Sequence, residues 1–329
     1  MNNLVVCSVA LLFMYSTAAA KDYNGAELYS KNTVKYGRFD VRMRTMSGSG
    51  IISSFFTYYN NSYLGSPEPW QEIDIETLGK TTNIFQTNLI TGNAANKITS
   101  EQVHSFDNLS QNYHTYTVEW TPQYIAWFFD GKEVRRSTGA QVTACQVKEM
   151  SYRFNAWISN VPSWAGDFNP SILPVYQYIN WVKFSKYTPG AGPNGSDFTA
   201  DWQDNFDSFD AARWGKGDWT FDGNLVDFSP NNIVVKDGYC IICLTRIGAT
   251  GFSGEVPKDP SSSIIDFNMA PGEKTQSVGF RNANRRESFW VGLDGRVISK
   301  GPEFFCRINP GMWISRENEA VVRRVKIAR

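Results

Sequence analysis

Three carboxylates stand at alternate positions in the stretch PWQEIDIETLG, residues 69–79: Glu72, Asp74 and Glu76, separated by Ile73 and Ile75. A period of two is a strand signal, because successive side chains of a strand point to opposite faces. Both isoleucines then face one way and all three acids the other, with no Lys or Arg between them. Neighbouring like charges cost free energy, so the row is either a solvated acidic face or a working group. The work that suits paired carboxyls is cleavage of a glycosidic bond, one as nucleophile or base and one as acid. Retaining hydrolysis needs the pair about 5–5.5 Å apart, and inverting hydrolysis leaves a wider gap for a water. Strand Cα atoms four residues apart are separated by about 13 Å. The two glutamates must therefore lean together over a curved sheet. A charged Asp74 beside them raises the pKa of a neighbouring Glu and keeps the acid protonated near the working pH.

The flanking segments carry the groups that hold sugars. Trp70 comes two residues before Glu72, on the same face. YRFNAWIS aligns Arg153, Asn155 and Trp157; FFTYYN aligns Phe56, Tyr58 and Asn60; FQTN adds Gln86 and Asn88. Any one of the aromatics could be core packing. Arg and Asn alternating with Trp on one face fit a core less well, because buried polar groups need partners.

These residues sit on runs that read as strands: 36–45, 51–59, 72–78, 84–90, 114–121, 124–130, 152–159 and 178–187. Turn residues such as Asn60-Asn61, Thr121-Pro122 and Asp130-Gly131 separate them. No run has the period of an ordinary-length helix. Many short strands at this spacing predict an all-β, two-sheet antiparallel sandwich of the jelly-roll type, with a concave cleft over the acid strand. TPGAGPNGSD (188–197) reads as a linker, and GEVPKDPSSS (254–263) as a second break.

The 329 residues suffice for one large domain or two modest ones. Basic and acidic residues balance at 32 each, so no general attraction to nucleic acid is implied. The balance conceals an asymmetry: residues 1–260 hold 20 basic and 25 acidic residues, and 261–329 hold 12 and 7. The last part therefore reads as a separate basic unit, with a hairpin expected around Asp294-Gly295. MNNLVVCSVALLFMYSTAAA has the apolar run and small-residue cleavage form of a secretory leader over 1–20. The run is too short to span a bilayer, and a secreted protein starting near Lys21 is expected. Cys7 leaves with the leader. Cys145, Cys240, Cys243 and Cys306 remain, and the C-x-x-C of YCIICLTR is read as buried thiols in a strand rather than a zinc half-site.

EIDIE after a Trp, with GRFDVRMR and GIISSFF before it and HTYTVEWTP and YRFNAW after it, resembles glycoside hydrolase family 16. The short acid motif is similar to that of the lichenase branch, which cuts mixed-linked β-1,3-1,4-glucan; laminarinases of the family usually carry a longer E-x-D-x-x-E with a bulge. The block DWTFDGNLVDFS through DGYCIICLTR precedes the acid strand in most of the family. Here it follows, which is similar to the circularly permuted form. The likeness runs from about Lys21 to Pro257. It implies a catalytic domain over 21–257, with Glu72 as nucleophile, Glu76 as acid/base and Asp74 assisting. It implies a glucan cleft lined by Glu27, Phe56, Tyr58, Asn60, Trp70, Gln86, Asn88, Arg153, Asn155, Trp157, Trp164, Trp219 and Phe221. It implies a structural calcium at Asn180, Asn205 and Gly238, with no cofactor in catalysis.

The expectation is a secreted, monomeric endo-glucanase acting on a polysaccharide, with no nucleic acid and no membrane span. A β-1,3-glucanase or a transglycosylase is the nearest rival. A glucan-binding lectin on the same sandwich is another, but it would leave the acid trio without a role. The resemblance does not extend over residues 258–329, and a docking or secretion element, a small sugar-binding hairpin and a plain extension stand open for them.

Overall fold

The computed structural model describes residues 20–260 in full and, beyond them, the backbone of five strands. Along the chain run β1 (Tyr23–Ser30), β2 (Gly37–Arg44), β3 (Ile51–Tyr58), β4 (Glu72–Leu78), β5 (Ile84–Asn93), β6 (Asn96–Ile98), β7 (Gln102–Ser105), β8 (His114–Trp120), β9 (Ile125–Phe129) and β10 (Lys132–Ser137). They continue with β11 (Ser151–Ile158), β12 (Val175–Tyr187), β13 (Phe198–Asp204), β14 (Trp214–Lys216), β15 (Asp227–Phe228), β16 (Ile233–Lys236) and β17 (Tyr239–Arg246). Two helices among these residues are single turns, α1 (Ala140–Ala144) and α2 (Pro162–Ala165).

The strands make two antiparallel layers. The site sheet has the order β14–β1–β11–β3–β4–β5–β7. The back sheet has the order β10–β9–β8–β2–β12–β17–β16, with β13 along the second half of β12. The predicted all-β sandwich is what forms. Alternation explains it: Ile51, Phe55, Ile73, Ile75, Phe85 and Phe154 of the site sheet meet Phe39, Val41, Met43, Val118, Trp127 and Phe184 of the back sheet in one buried core. Each such side chain removed from water contributes about 1.5–3 kcal/mol. The opposite residues of β3, β4, β5 and β11 are thereby left on the outer face of the site sheet.

The eight predicted strands correspond to β2, β3, β4, β5, β8, β9, β11 and β12. β12 begins earlier than expected, at Val175, because its first residues pair with β17. Cys240 and Cys243 lie on β17, three residues apart and so on opposite faces. Cys240 sits in the main core; Cys243 sits in a second cluster behind the back sheet, with Tyr178, Tyr239, Ile241 and Val256. They cannot share a ligand. Both, and Cys145, are buried free thiols.

The compact unit containing these strands ends at Val256, and Pro257–Arg329 is a second one. In the second, β18 (Ser277–Asn282) pairs with β19 (Arg285–Gly292), and β20 (Phe304–Arg307), β21 (Met312–Arg316) and β22 (Arg323–Val325) form a small antiparallel sheet. The expected turn at Asp294-Gly295, the leader over 1–19 and the Cys306 side chain lie outside the described residues. No helix among the described residues is long and apolar enough to cross a membrane.

Candidate active site

Register assembles the site. Residues directly opposite on antiparallel strands share a face. Glu76 of β4 lies between Gln86 of β5 and Ser54 of β3, and the row continues to Asn155 of β11 and Glu27 of β1. Asp74 lies between Asn88 and Phe56, and that row continues to Arg153 and Tyr29. Glu72 faces Tyr58. Segments distant in sequence thus set the three acids in a polar and aromatic floor.

Environment separates the acids. Trp70 donates its indole N–H to Glu72 Oε2 at 2.7 Å. Burial pushes Glu72 up to about 7, against that hydrogen bond and the charges of Lys97 and Arg153, which favour its anion. Glu76 is pushed up to about 8 by burial and by the charges of Glu72 and Glu101, with no cation opposing. Burial and both flanking glutamates hold Asp74 well above the usual carboxylate range, and its carboxyl shares a hydrogen bond with Glu72. Of the two glutamates, Glu76 is the one with no cation or indole donor favouring its anion. From behind, Trp127 donates its indole N–H to the Asp74 carbonyl at 3.0 Å, and the buried guanidinium of Arg135 lies 4.4 Å from the Trp127 ring.

The next strands supply fixed donors. Arg153 Nη1 pairs with Glu27 Oε1 at 2.5 Å, and its other nitrogens donate to Ser151 Oγ and Asn60 Oδ1. Asn155 accepts from Ser54 Oγ and donates to Glu27. Gln86 accepts from the Trp164 indole at 3.2 Å. Asn88 has its Oδ1 committed to the amides of Leu89 and Ser100, so it braces β5.

The rings fall into groups. Tyr58 meets Trp70 edge-on at 5.7 Å. Trp157 touches Trp164 and Phe221, over Ile52, Leu78 and Ala165. Trp219 leans on Tyr29, with the Arg153 guanidinium 5.9 Å away. Trp219 and Phe221 remain over a third exposed, as rings that could meet a ligand.

All sixteen catalytic and cleft residues named from the sequence lie on or beside this face, since Trp219 and Phe221 reach it through their neighbours. Sequence reasoning missed Tyr29, Ser54, Lys97, Glu101 and Ser151. Cross-strand register places Tyr29, Ser54 and Ser151 beside these rows, while Lys97 and Glu101 act on the acids through their charges.

Asn180, Asn205 and Gly238 lie away from this face. Asn180 sits at a register shift in β12, next to Ile179, which pairs with Cys240 of β17. Gly238 is in the β16–β17 turn, and a Cβ placed on it would lie 3.9 Å from the Asn205 carbonyl oxygen. Backbone and amide oxygens suit calcium. Among the described residues no group of three His, Cys, Asp or Glu could hold a metal.

The family model of glycosyl hydrolases family 16 matches residues 10–183. A beta-glucanase of Fibrobacter succinogenes (strain ATCC 19169 / S85) is 49% identical over 253 residues, 77% of this chain and 72% of the relative. A beta-glucanase of Bacillus amyloliquefaciens is 33% identical over 186 residues, 56% and 74% of the two chains. The solved structure of Bacillus licheniformis beta-glucanase aligns with 48% of this chain and 70% of its own, at 32% identity and a TM-score of 0.42. With its acid trio on the outer face of a two-sheet sandwich, the chain belongs to glycosyl hydrolases family 16.

Proposed function

We propose that the protein is an endo-β-glucanase that hydrolyses β-1,4 bonds of mixed-linked β-1,3-1,4-glucan with retention. The observation that carries this is the unequal treatment of Glu72 and Glu76 on one strand face. Glu72, held by the Trp70 N–H and favoured by two cations, is the group that gives up its proton first. It attacks the anomeric carbon while Glu76 passes its proton to the leaving oxygen. Glu76 then takes a proton from the water that releases the glycosyl-enzyme. Asp74 donates a hydrogen bond to Glu72 and spreads the charge. Mixed-linked specificity is supported by β4 itself: its pairing with β3 runs from Glu72 to Leu78 without a register shift, the short-motif form that the lichenase resemblance requires. The curated relatives are named beta-glucanase, which supports a β-glucan substrate without specifying its linkage.

The same reading makes the enzyme an exported monomer whose cleft residues bind glucan rings and hydroxyls. It also gives it a structural calcium at the Asn180, Asn205 and Gly238 oxygens, which takes no part in the reaction. The segment order is that of a circular permutant.

The test is reducing-sugar release from mixed-linkage glucan, laminarin and carboxymethylcellulose by wild type and Glu72→Ala. Cleavage of the mixed glucan alone, lost in the variant, is expected. The pH profile of kcat/KM should be a bell, rising as Glu72 ionises around pH 7 and falling as Glu76 does around pH 8. Cleavage of laminarin would move the assignment to a β-1,3-glucanase. Binding without any cleavage would make the protein a lectin.

A further inference from the structure

Lys97 is one of the two cations whose charge favours the Glu72 anion, and its own place in the site has still to be explained. It lies on β6, in an exposed hairpin, opposite Gly92 of β5. The Gly92 carbonyl accepts the backbone N–H of Trp70 at 2.8 Å, so hairpin and indole are tied together. The Lys97 ammonium sits 3.4 Å from the centroid of the Trp70 ring. That ring's N–H is the one that binds Glu72, and Tyr58 meets the ring edge-on at 5.7 Å. The indole is thus gripped between a cation and an aromatic edge, with its N–H aimed at the carboxylate. Among the described residues Lys97 has no carboxylate ion-pair partner, so its charge is left to act on this corner of the site.

We propose that Lys97 is a positioning residue: by capping the Trp70 ring it holds the indole N–H on Glu72 and sets a positive charge at that corner of the site. The proposal rests on Glu72 being the nucleophile. The other groups facing Glu72 are Asp74 and Glu76 on its own strand, Tyr58 on β3, Arg153 on β11, Glu27 on β1 and the buried Cys145 after α1. Arg153 is already committed to Glu27. Lys97 is the only other cation of the set.

The test is the pH profile of kcat/KM on mixed-linkage glucan for wild type, Lys97→Met and Lys97→Arg, at low and high salt, with Glu72→Ala as reference. Removing a nearby positive charge raises a carboxylate's pKa. The acidic limb of Lys97→Met should therefore move up by about 0.5 pH unit at low salt, which lowers kcat/KM below the limb about threefold. The arginine variant should restore the wild-type limb, because guanidinium also stacks on indole. In 0.5 M salt the shift should shrink, since the ammonium is exposed to screening. Melting temperature should not change.

A Lys97→Met limb that coincides with wild type overturns the inference. So does a loss that is equal at every pH and lies wholly in KM, which would make Lys97 a glucan contact. The parent reading is checked separately. If Glu72→Ala is inactive and azide restores turnover, the nucleophile stands whatever Lys97 does. If Glu72→Ala keeps its activity, both fall.

Discussion

The Glu27–Arg153 pair shows how a single side chain serves both fold and site. Both carboxylate and guanidinium are almost wholly buried. Burial raises Glu27 above the ordinary carboxylate range, and Arg153 and Asn155 pull it back. Removing one partner of a buried pair leaves an uncompensated charge. Arg153→Met should therefore destabilise by about 3 kcal/mol at pH 8. The sign with pH follows from linkage. A carboxyl whose folded pKa exceeds its unfolded value binds its proton more tightly when folded, so its contribution is largest in acid and is lost as pH rises through the folded pKa. Without Arg153, Glu27 rises further and the loss extends to higher pH; Glu72, which also feels Arg153, adds to it with the same sign. The melting temperature deficit against wild type should widen from pH 5 to pH 8. A deficit independent of pH would mean that Arg153 acts through packing alone.

Strands were the most legible elements, because alternation reports the buried face directly. Ile73 and Ile75 had to enter the core, and that alone turned Glu72, Asp74 and Glu76 outward. What alternation cannot report is which strand lies beside which. The contacts of Ser54, Ser151 and Lys97 come from register and from a hairpin hydrogen bond, and neither has a signature within its own segment. β12 was read short for the same reason, since the strand character of Val175, Tyr176 and Gln177 comes from pairing with β17. The region around Asn180 is where elements, rather than side chains, decide the outcome. β12 pairs with β13 and β17 there, and the Asn205 carbonyl oxygen lies beside the β16–β17 turn at Gly238. A bound calcium would fasten the three and stabilise the folded state in proportion to its occupancy. Chelation should then lower the melting temperature by several degrees, and added calcium should restore it. The acidic and alkaline limbs of kcat/KM should stay in place, because the site lies away from the acids. Equal melting temperatures with and without chelator would remove the calcium from the account.

On the scale of the whole catalytic unit, the order of segments matters less than their adjacency. The start of β1 and the end of β17 are neighbours: the Ile247 N–H donates to the Asp22 carbonyl at 2.9 Å, and Tyr23 pairs with Arg246. The end of β12 and the start of β13 are neighbours too, with Tyr187 opposite Phe198 and the Thr188 N–H on the Asp197 carbonyl. Permutation is tolerated where ends lie close and the opened loop is exposed. The turn over 190–195 meets that condition. A chain opened there, with residue 260 joined to Lys21 by about fifteen Gly and Ser residues spanning about 20 Å, should fold into the same sandwich. Residues 251–260 are kept because Phe252 and Val256 cover the cluster behind the back sheet. The permutant should melt within about 5 °C of the parent and keep its kcat/KM, since no row across β4 is interrupted. Opening the chain between β4 and β5 instead should fail. There Gly48 and Ile51 bond to both sides of Gly79, and the turn fixes the strand that carries the acids. If the first permutant also failed to fold, the 188–197 connection would be structural in its own right, and the segment order would not be a permutation of an otherwise indifferent scaffold.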